Sequence, residues 1–422
     1  MYQKCVLSNG VRVVAESIPY AYSAVIGIWI RTGSRNEDDT NRGVSHFIEH
    51  LLFKGTTNRT AKQIAEELEA VGGTLNAFTA KEYTCFYAKV LAKHLDRAID
   101  LLSDMFFNSL FTDEDIDKER NVVLEEIKMY EDTPDELIHD LFAANVWQQH
   151  PLGYPVLGTV ESVQGIDRSV VLKYFENNYT PRNTVIAVAG NIDCDLVFRK
   201  LEGVFGSWSP ASRHQRGYLP PVPRAGEAFY EKDTEQVHLC LGTPSIPQDD
   251  ERIYTMFILN SILGGGLSSR LFQSIRENRG LVYSIYSYHC SYVDAGLFSI
   301  YAGTSRHNAR EVVQLILREV NEVRKHGISP EELDKAKEQI KGSLLLSMES
   351  ISHRMSRLGR SEICYNRIIT TDEIIQGVSE VSLAQVQELA EGLFKENQFS
   401  LTMIGPEKLS IDLSQLITEA FV

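Results

Sequence analysis

His46-Phe47-Ile48-Glu49-His50 brings two imidazoles and a carboxylate onto neighbouring turns of one amphipathic segment. Read as a helix, residues four apart stand roughly 6 Å from each other at Cβ and project to the same side, so His46 and His50 can each offer a nitrogen to one metal ion. Glu49 lies three residues after His46 and flanks that face. A carboxylate there reaches a metal-bound water without being forced to ligate the metal. The order is the inverse of the commoner His-Glu-x-x-His arrangement, and it predicts a zinc site that carries its own general base. A single helical histidine is ordinarily a packed or solvated residue. The metal reading therefore depends on a third ligand.

A catalytic zinc takes three protein ligands and keeps an open position for water. The donor is found in the helical run from Asp117 to Tyr130. Seven residues are nearly two whole turns, so Glu119 and Glu126 fall on one stripe, with Val122 and Val123 between them, and that stripe is expected to face inward. Glu125, rotated about 100° from Glu126, is expected to meet solvent. Glu126 is assigned as the third ligand and Glu119 as a carboxylate that orients a histidine or shapes the local charge. In isolation Glu126 also reads as a solvated helix glutamate.

The rest of the chain has the composition of a soluble globular protein: 422 residues, 43% hydrophobic and 23% charged, enough for two or three domains. No uninterrupted apolar run is long enough to cross a bilayer, so no membrane partner is expected. Residues Met1 to Leu7 run into a turn at Ser8-Asn9-Gly10 and on to Val14. That pattern is expected to be a hairpin of the fold, without the apolar core of a signal peptide. The six cysteines are scattered with no Cys-x-x-Cys pair, which suits reduced thiols in a cytoplasmic protein. A formal charge of -15 argues against a nucleic-acid partner, because phosphate binding needs concentrated Lys and Arg. The charge favours solubility and, weakly, neutral or basic ligands.

Near the midpoint, Ser209 to Gly226 includes four prolines without apolar periodicity and reads as a linker. It divides the chain into 1–208, expected to be the catalytic zinc-binding domain, and 227–422, expected to be a metal-free homologous domain that binds substrate. The halves look like a diverged duplication. Ser23–Ile30 leads through the acidic loop Asn36-Glu37-Asp38-Asp39 to the histidine helix, and Val237–Gly242 leads through Asp249-Asp250-Glu251 to a helix at Tyr254–Asn260. Asn183–Gly190 likewise parallels Gln398–Gly405. Hairpins and long helices dominate the alternation, so the fold class is α+β, each domain a mainly antiparallel sheet packed with helices. Thr60 and the Ser329-Pro330-Glu331-Glu332 box are expected to cap helices.

Over its whole length the chain resembles the pitrilysin, insulysin and mitochondrial processing peptidase group of inverzincin metallopeptidases. That family's pattern is His-x-x-Glu-His followed some 75 residues later by a ligating glutamate, with another glutamate seven positions before it. Here 75 residues separate His50 from Glu126, and Glu119 stands seven before Glu126. The resemblance implies a zinc endopeptidase with Zn2+ on His46, His50 and Glu126 and with Glu49 as base. It implies that Asn76-Ala77-Phe78 belongs to an exposed strand that pairs with the bound peptide; without it, the segment reads as a core strand. It also implies that Arg276 anchors substrate backbone and that Tyr283 hydrogen-bonds the developing oxyanion. Gly264-Gly265-Gly266 lacks a Lys-Ser/Thr ending and does not read as a phosphate loop. It resembles the glycine segment flanking the family's substrate entrance. Two domains in one chain imply a homodimer that encloses a chamber for peptide substrates. The competing reading, a non-catalytic structural subunit, would be expected to lack zinc ligands.

Overall fold

The computed structural model describes residues 2–209, 217–409 and 411–421. Of the expected linker, residues 210–216 lie outside that set.

Two sheets organise the chain. The first contains β1 (Tyr2–Val6), β2 (Arg12–Ser17), β3 (Ser23–Ile30), β4 (Thr74–Thr79), β5 (Thr84–Leu91) and β6 (Thr184–Gly190), in the order β1-β2-β6-β3-β5-β4. The second contains β7 (Glu227–Glu231), β8 (Val237–Ser245), β9 (Val282–Ser291), β10 (Gly296–Thr304) and β11 (Ser400–Gly405), in the order β7-β11-β8-β10-β9. Matching β2 to β7, β3 to β8, β4 to β9, β5 to β10 and β6 to β11 superposes one strand order on the other. Even the parallel pair recurs, β2 with β6 and β7 with β11, among otherwise antiparallel neighbours. The duplication and the α+β class expected from the sequence are both present.

Strand β3 shows why each sheet is covered on both faces. Its even residues Ala24, Ile26, Ile28 and Ile30 enter one core, and its odd residues Val25 and Trp29 enter another. Such a run, apolar at every position, belongs to a strand buried on both sides. The second face is covered by the helix Ile351–Tyr365, whose Met355, Leu358 and Ile363 join Val25, Trp29 and Val185. Each such fully buried side chain contributes roughly 1.5–3 kcal/mol. Contact is close enough that a Cβ on Gly359 would stand 2.2 Å from Trp29 Nε1, so only glycine fits there. In the second sheet the same part is played by the helix Pro134–Val146, with Ile138, Phe142 and Val146 against Cys240, Leu297 and Ile404.

The compact units are therefore not the contiguous segments 1–208 and 227–422. One unit is Met1–Lys128, Tyr154–Tyr218 and Ser347–Ile369; the other is Met129–Gly153, Leu219–Leu346 and Thr370–Val422. Each sheet takes one covering helix from the opposite half of the sequence. A midpoint cut follows the repeat, but it separates each of those helices from the apolar face it buries.

Candidate metal centre

The helix Val44–Leu51 is started by groups distant in sequence. Its N-cap, Gly43, sits at φ 88° and has no side chain to cap with. An added Cβ would stand 2.6 Å from the Leu157 carbonyl oxygen, in a backbone conformation that already favours glycine. Glu37 supplies the cap, accepting from the backbone N–H of Gly43 at 2.7 Å and of Ser45 at 2.8 Å. It satisfies donors that a helix start leaves open. Burial pushes the Glu37 carboxyl up to about 8, against those two hydrogen bonds, which lower it. The loop read as acidic thus contains a buried anchor of the helix.

Val44, Phe47, Ile48 and Leu51 bury one side of the helix and fix its rotation. His46, only 8% exposed, and the half-buried His50 then share the other side, with ring centroids 4.6 Å apart. Glu126 comes from the helix Asp113–Glu131, and its Oε2 lies 3.7 Å from His46 Nε2 and 3.6 Å from His50 Nε2. These separations are too long for hydrogen bonds. They are close to the separation of about 3.3 Å between donor atoms around a tetrahedral ion with ligands at about 2.0–2.1 Å. Among the described residues these three form a group able to hold a metal, their donor atoms all within 4.8 Å of one another.

Protonation favours the same use. Burial, aided by the neighbouring His50, presses His46 down to about 3, so it stays neutral at ordinary pH. Its Nδ1 is buried with no hydrogen-bond partner among the described residues. For His50 burial also lowers the proton affinity, but the hydrogen bond to Glu119 and the charges of Glu126, Glu119 and Glu49 outweigh it and raise its pKa. A proton and a metal therefore compete for His50 Nε2. Its Nδ1 lies 3.1 Å from Glu119 Oε2, and Glu119, 4% exposed, also takes Lys54 Nζ at 2.6 Å. Burial would raise the Glu119 carboxyl, but the His50 and Lys54 bonds hold it lowered. A charged Glu119 fixes the proton on Nδ1 and leaves Nε2 with a lone pair able to take a metal.

Glu49 stands outside the three-residue group. Its Oε2 accepts a hydrogen bond from Thr79 Oγ1 at 2.6 Å. Burial raises its pKa, the Thr79 bond opposing.

One element of the expected pattern is different. On the glutamate helix Ile116, Glu119, Val123 and Ile127 are buried, while Val122 is 48% exposed. At 100° per residue Val122 falls about 100° from the centre of that buried arc, so Val123 alone lies between the glutamates on the inward face. Glu126 is at the arc's margin, half-buried, and Glu125 is exposed as expected.

Asn76, Ala77 and Phe78 lie on β4, the terminal strand of the first sheet, opposite Tyr87, Phe86 and Cys85 of β5. Among the described residues the far edge of β4 has no strand partner. The Phe78 ring turns away into an aromatic group, 5.6 Å from Trp29 between centroids. Arg276 and Tyr283 belong to the other unit. Arg276 sits in the π-helical turn Phe272–Glu277, and its guanidinium is 4.8 Å from the Phe272 ring and 5.8 Å from the Tyr283 ring. Tyr283 is the second residue of β9, the edge strand equivalent to β4, and is 75% exposed. The roles of three residues escaped the sequence reading: Glu37, Lys54 and Thr79. Lys54 alone left a signal, four residues beyond His50.

Residues 12–160 match the model of the insulinase family, peptidase family M16, and residues 165–340 match that of the M16 inactive domain. A Bacillus subtilis protein named an uncharacterized zinc protease, YmxG, is 45% identical over 406 residues, 96% of this chain and 98% of the relative. A Streptomyces coelicolor protein, also named an uncharacterized zinc protease, is 40% identical over 415 residues, 96% of this chain and 90% of the relative. In fold, a protease from Helicobacter pylori matches with a TM-score of 0.89 at 22% identity, covering 96% of this chain and 99% of that one. The chain therefore belongs to peptidase family M16 and, in line with relatives named zinc proteases that it matches nearly end to end, is a peptidase whose cofactor is zinc.

Proposed function

We propose that the chain is an endopeptidase for unfolded peptides, with zinc held by His46, His50 and Glu126 and with Glu49 as general base. The observation that carries this reading is the convergence of three donor atoms on one point while a fourth acid, Glu49, is held beside them by Thr79. Zinc bound there would bring the pKa of a water to about 7 and polarise the scissile carbonyl.

The protein's own groups supply the rest. Glu49 accepts the proton of the attacking water on its carboxylate and returns it to the leaving amine. Glu119 keeps His50 in the ligating tautomer. The open edge of β4 at Asn76, Ala77 and Phe78 pairs with an extended peptide through main-chain hydrogen bonds, which read shape with little regard to sequence. Arg276 holds substrate backbone, and Tyr283 donates to the oxyanion as it forms. Two copies of the chain join as a homodimer around a chamber, so that Arg276 and Tyr283 of one copy serve the metal unit of the other. Its place is the cytoplasm, consistent with six cysteines that form no disulfide among the described residues. Among the described residues no helix is long and apolar enough to cross a membrane. A non-catalytic structural subunit of the same fold has no use for a complete ligand set with a base beside it.

Glu49→Gln should keep stoichiometric zinc and lose about 10²- to 10⁴-fold in turnover. His50→Ala and Glu126→Ala should lose the metal together with activity. Near wild-type turnover in Glu49→Gln would remove Glu49 from the mechanism.

A further inference from the structure

We infer that Thr79 is a positioning residue that ties the general base to the strand receiving the substrate; this rests on Glu49 being the base. Thr79 Oγ1 donates to Glu49 Oε2 at 2.6 Å, the length of a charge-assisted bond from a hydroxyl to a carboxylate. With Oε2 engaged, the other carboxylate oxygen is left to take a proton. Without that bond the glutamate's side-chain torsions are free to turn the carboxylate away from water.

The donor's location gives the bond its second consequence. Thr79 is the last residue of β4 and follows directly on Asn76-Ala77-Phe78, the edge segment that pairs with peptide in the proposed reaction. It stands opposite Thr84 of β5, and the next turn is closed by the Ala80 N–H donating to the Tyr83 carbonyl at 2.8 Å. Both strand pairing and turn therefore fix the Thr79 backbone. A peptide laid along β4 is indexed against the same backbone that holds the base. Register along the strand and alignment of the carboxylate are set together, so Thr79 belongs to the catalytic step and not to substrate affinity.

The test is a steady-state comparison of Thr79→Val, which keeps the shape and removes the donor, with Thr79→Ser, which keeps the donor. Thr79→Val should lower kcat about 10- to 100-fold, the range expected for losing a hydrogen bond to a charged group. KM should stay within about twofold and zinc content should stay stoichiometric. Thr79→Ser should restore kcat to within a few-fold of wild type. In a Glu49→Gln background the added Thr79→Val should cost nothing further, because the group it positions is gone. A wild-type kcat in Thr79→Val, a loss confined to KM, or failure of serine to restore kcat would each overturn the inference. If Glu49→Gln is inactive while Thr79→Val matches wild type, only the role of Thr79 is lost. Retained activity in Glu49→Gln would instead remove the base assignment itself.

Discussion

At the scale of single residues, the site is built in two layers with different legibility. His46, Glu49 and His50 could be read directly, because helical spacing converts sequence separation into a shared face. Glu119 and Glu126 followed from the same geometry, seven residues being almost two turns. Val122 shows the limit of that argument: spacing names a stripe, but only packing against Ile116, Val123 and Ile127 sets its centre. Thr79 was out of reach, since its bond to Glu49 depends on where a strand ends relative to a helix thirty residues earlier. The Lys54–Glu119–His50 chain permits a prediction at this scale. Glu119→Gln should weaken zinc binding about 10- to 100-fold, measured by competition with a chelator of known affinity. Unchanged affinity would show that Glu119 has no part in holding His50 for the metal.

Among elements, the turn that follows the histidine helix is pinned by one carboxylate. Asp104, on the helix Leu95–Asn108, accepts from Thr56 at 2.7 Å, Asn58 at 2.5 Å, Arg59 at 2.8 Å and Asn108 at 2.9 Å. Burial by itself would raise its pKa, but these four bonds outweigh it and hold the carboxyl lowered to about 2, from 3.8. Between those values the unfolded chain binds more protons than the folded one, so stability rises with pH. Asp104 should contribute roughly 2 kcal/mol, fully present above about pH 4 and lost as the pH falls through about 2. Asp104→Asn should therefore be less stable than wild type at pH 6, with the gap narrowing toward pH 2, as read by urea unfolding across that range. A gap independent of pH would show that the ionised form is not what holds the turn. Elements also show what local pattern leaves undetermined. The repeat of strand order was legible as matched strands and helices in each half. The destinations of Pro134–Val146 and Ile351–Tyr365 were not, because an apolar helix face states that it will be covered without stating by which sheet.

For the whole molecule, a unit carrying His46, His50 and Glu126 and a unit carrying Arg276 and Tyr283 lie on one chain, and the proposed dimer makes each active site from two copies. A closed two-fold pair would hold two equivalent composite sites. Mixing inactive Glu49→Gln with inactive Tyr283→Phe should regenerate one intact site per heterodimer once subunits exchange, with activity rising to a substantial fraction of wild type. Exchange without recovery, or an active species that sediments as a monomer, would refute the composite site. A chamber also predicts selectivity: unfolded peptides should be cut, and a stably folded domain should be spared until it is unfolded. Equal cleavage rates for the two forms would rule out an enclosed site. The central claim, zinc-dependent cleavage of unfolded peptides, is tested most directly by incubating the purified chain with a mixture of unstructured peptides, with and without a chelator, and reading the products by mass spectrometry. Internal cleavages should appear, vanish with the chelator, return when zinc is restored and be absent from zinc-loaded Glu49→Gln. Cleavage that persists in metal-free protein, or no cleavage by zinc-loaded wild type, would contradict the account.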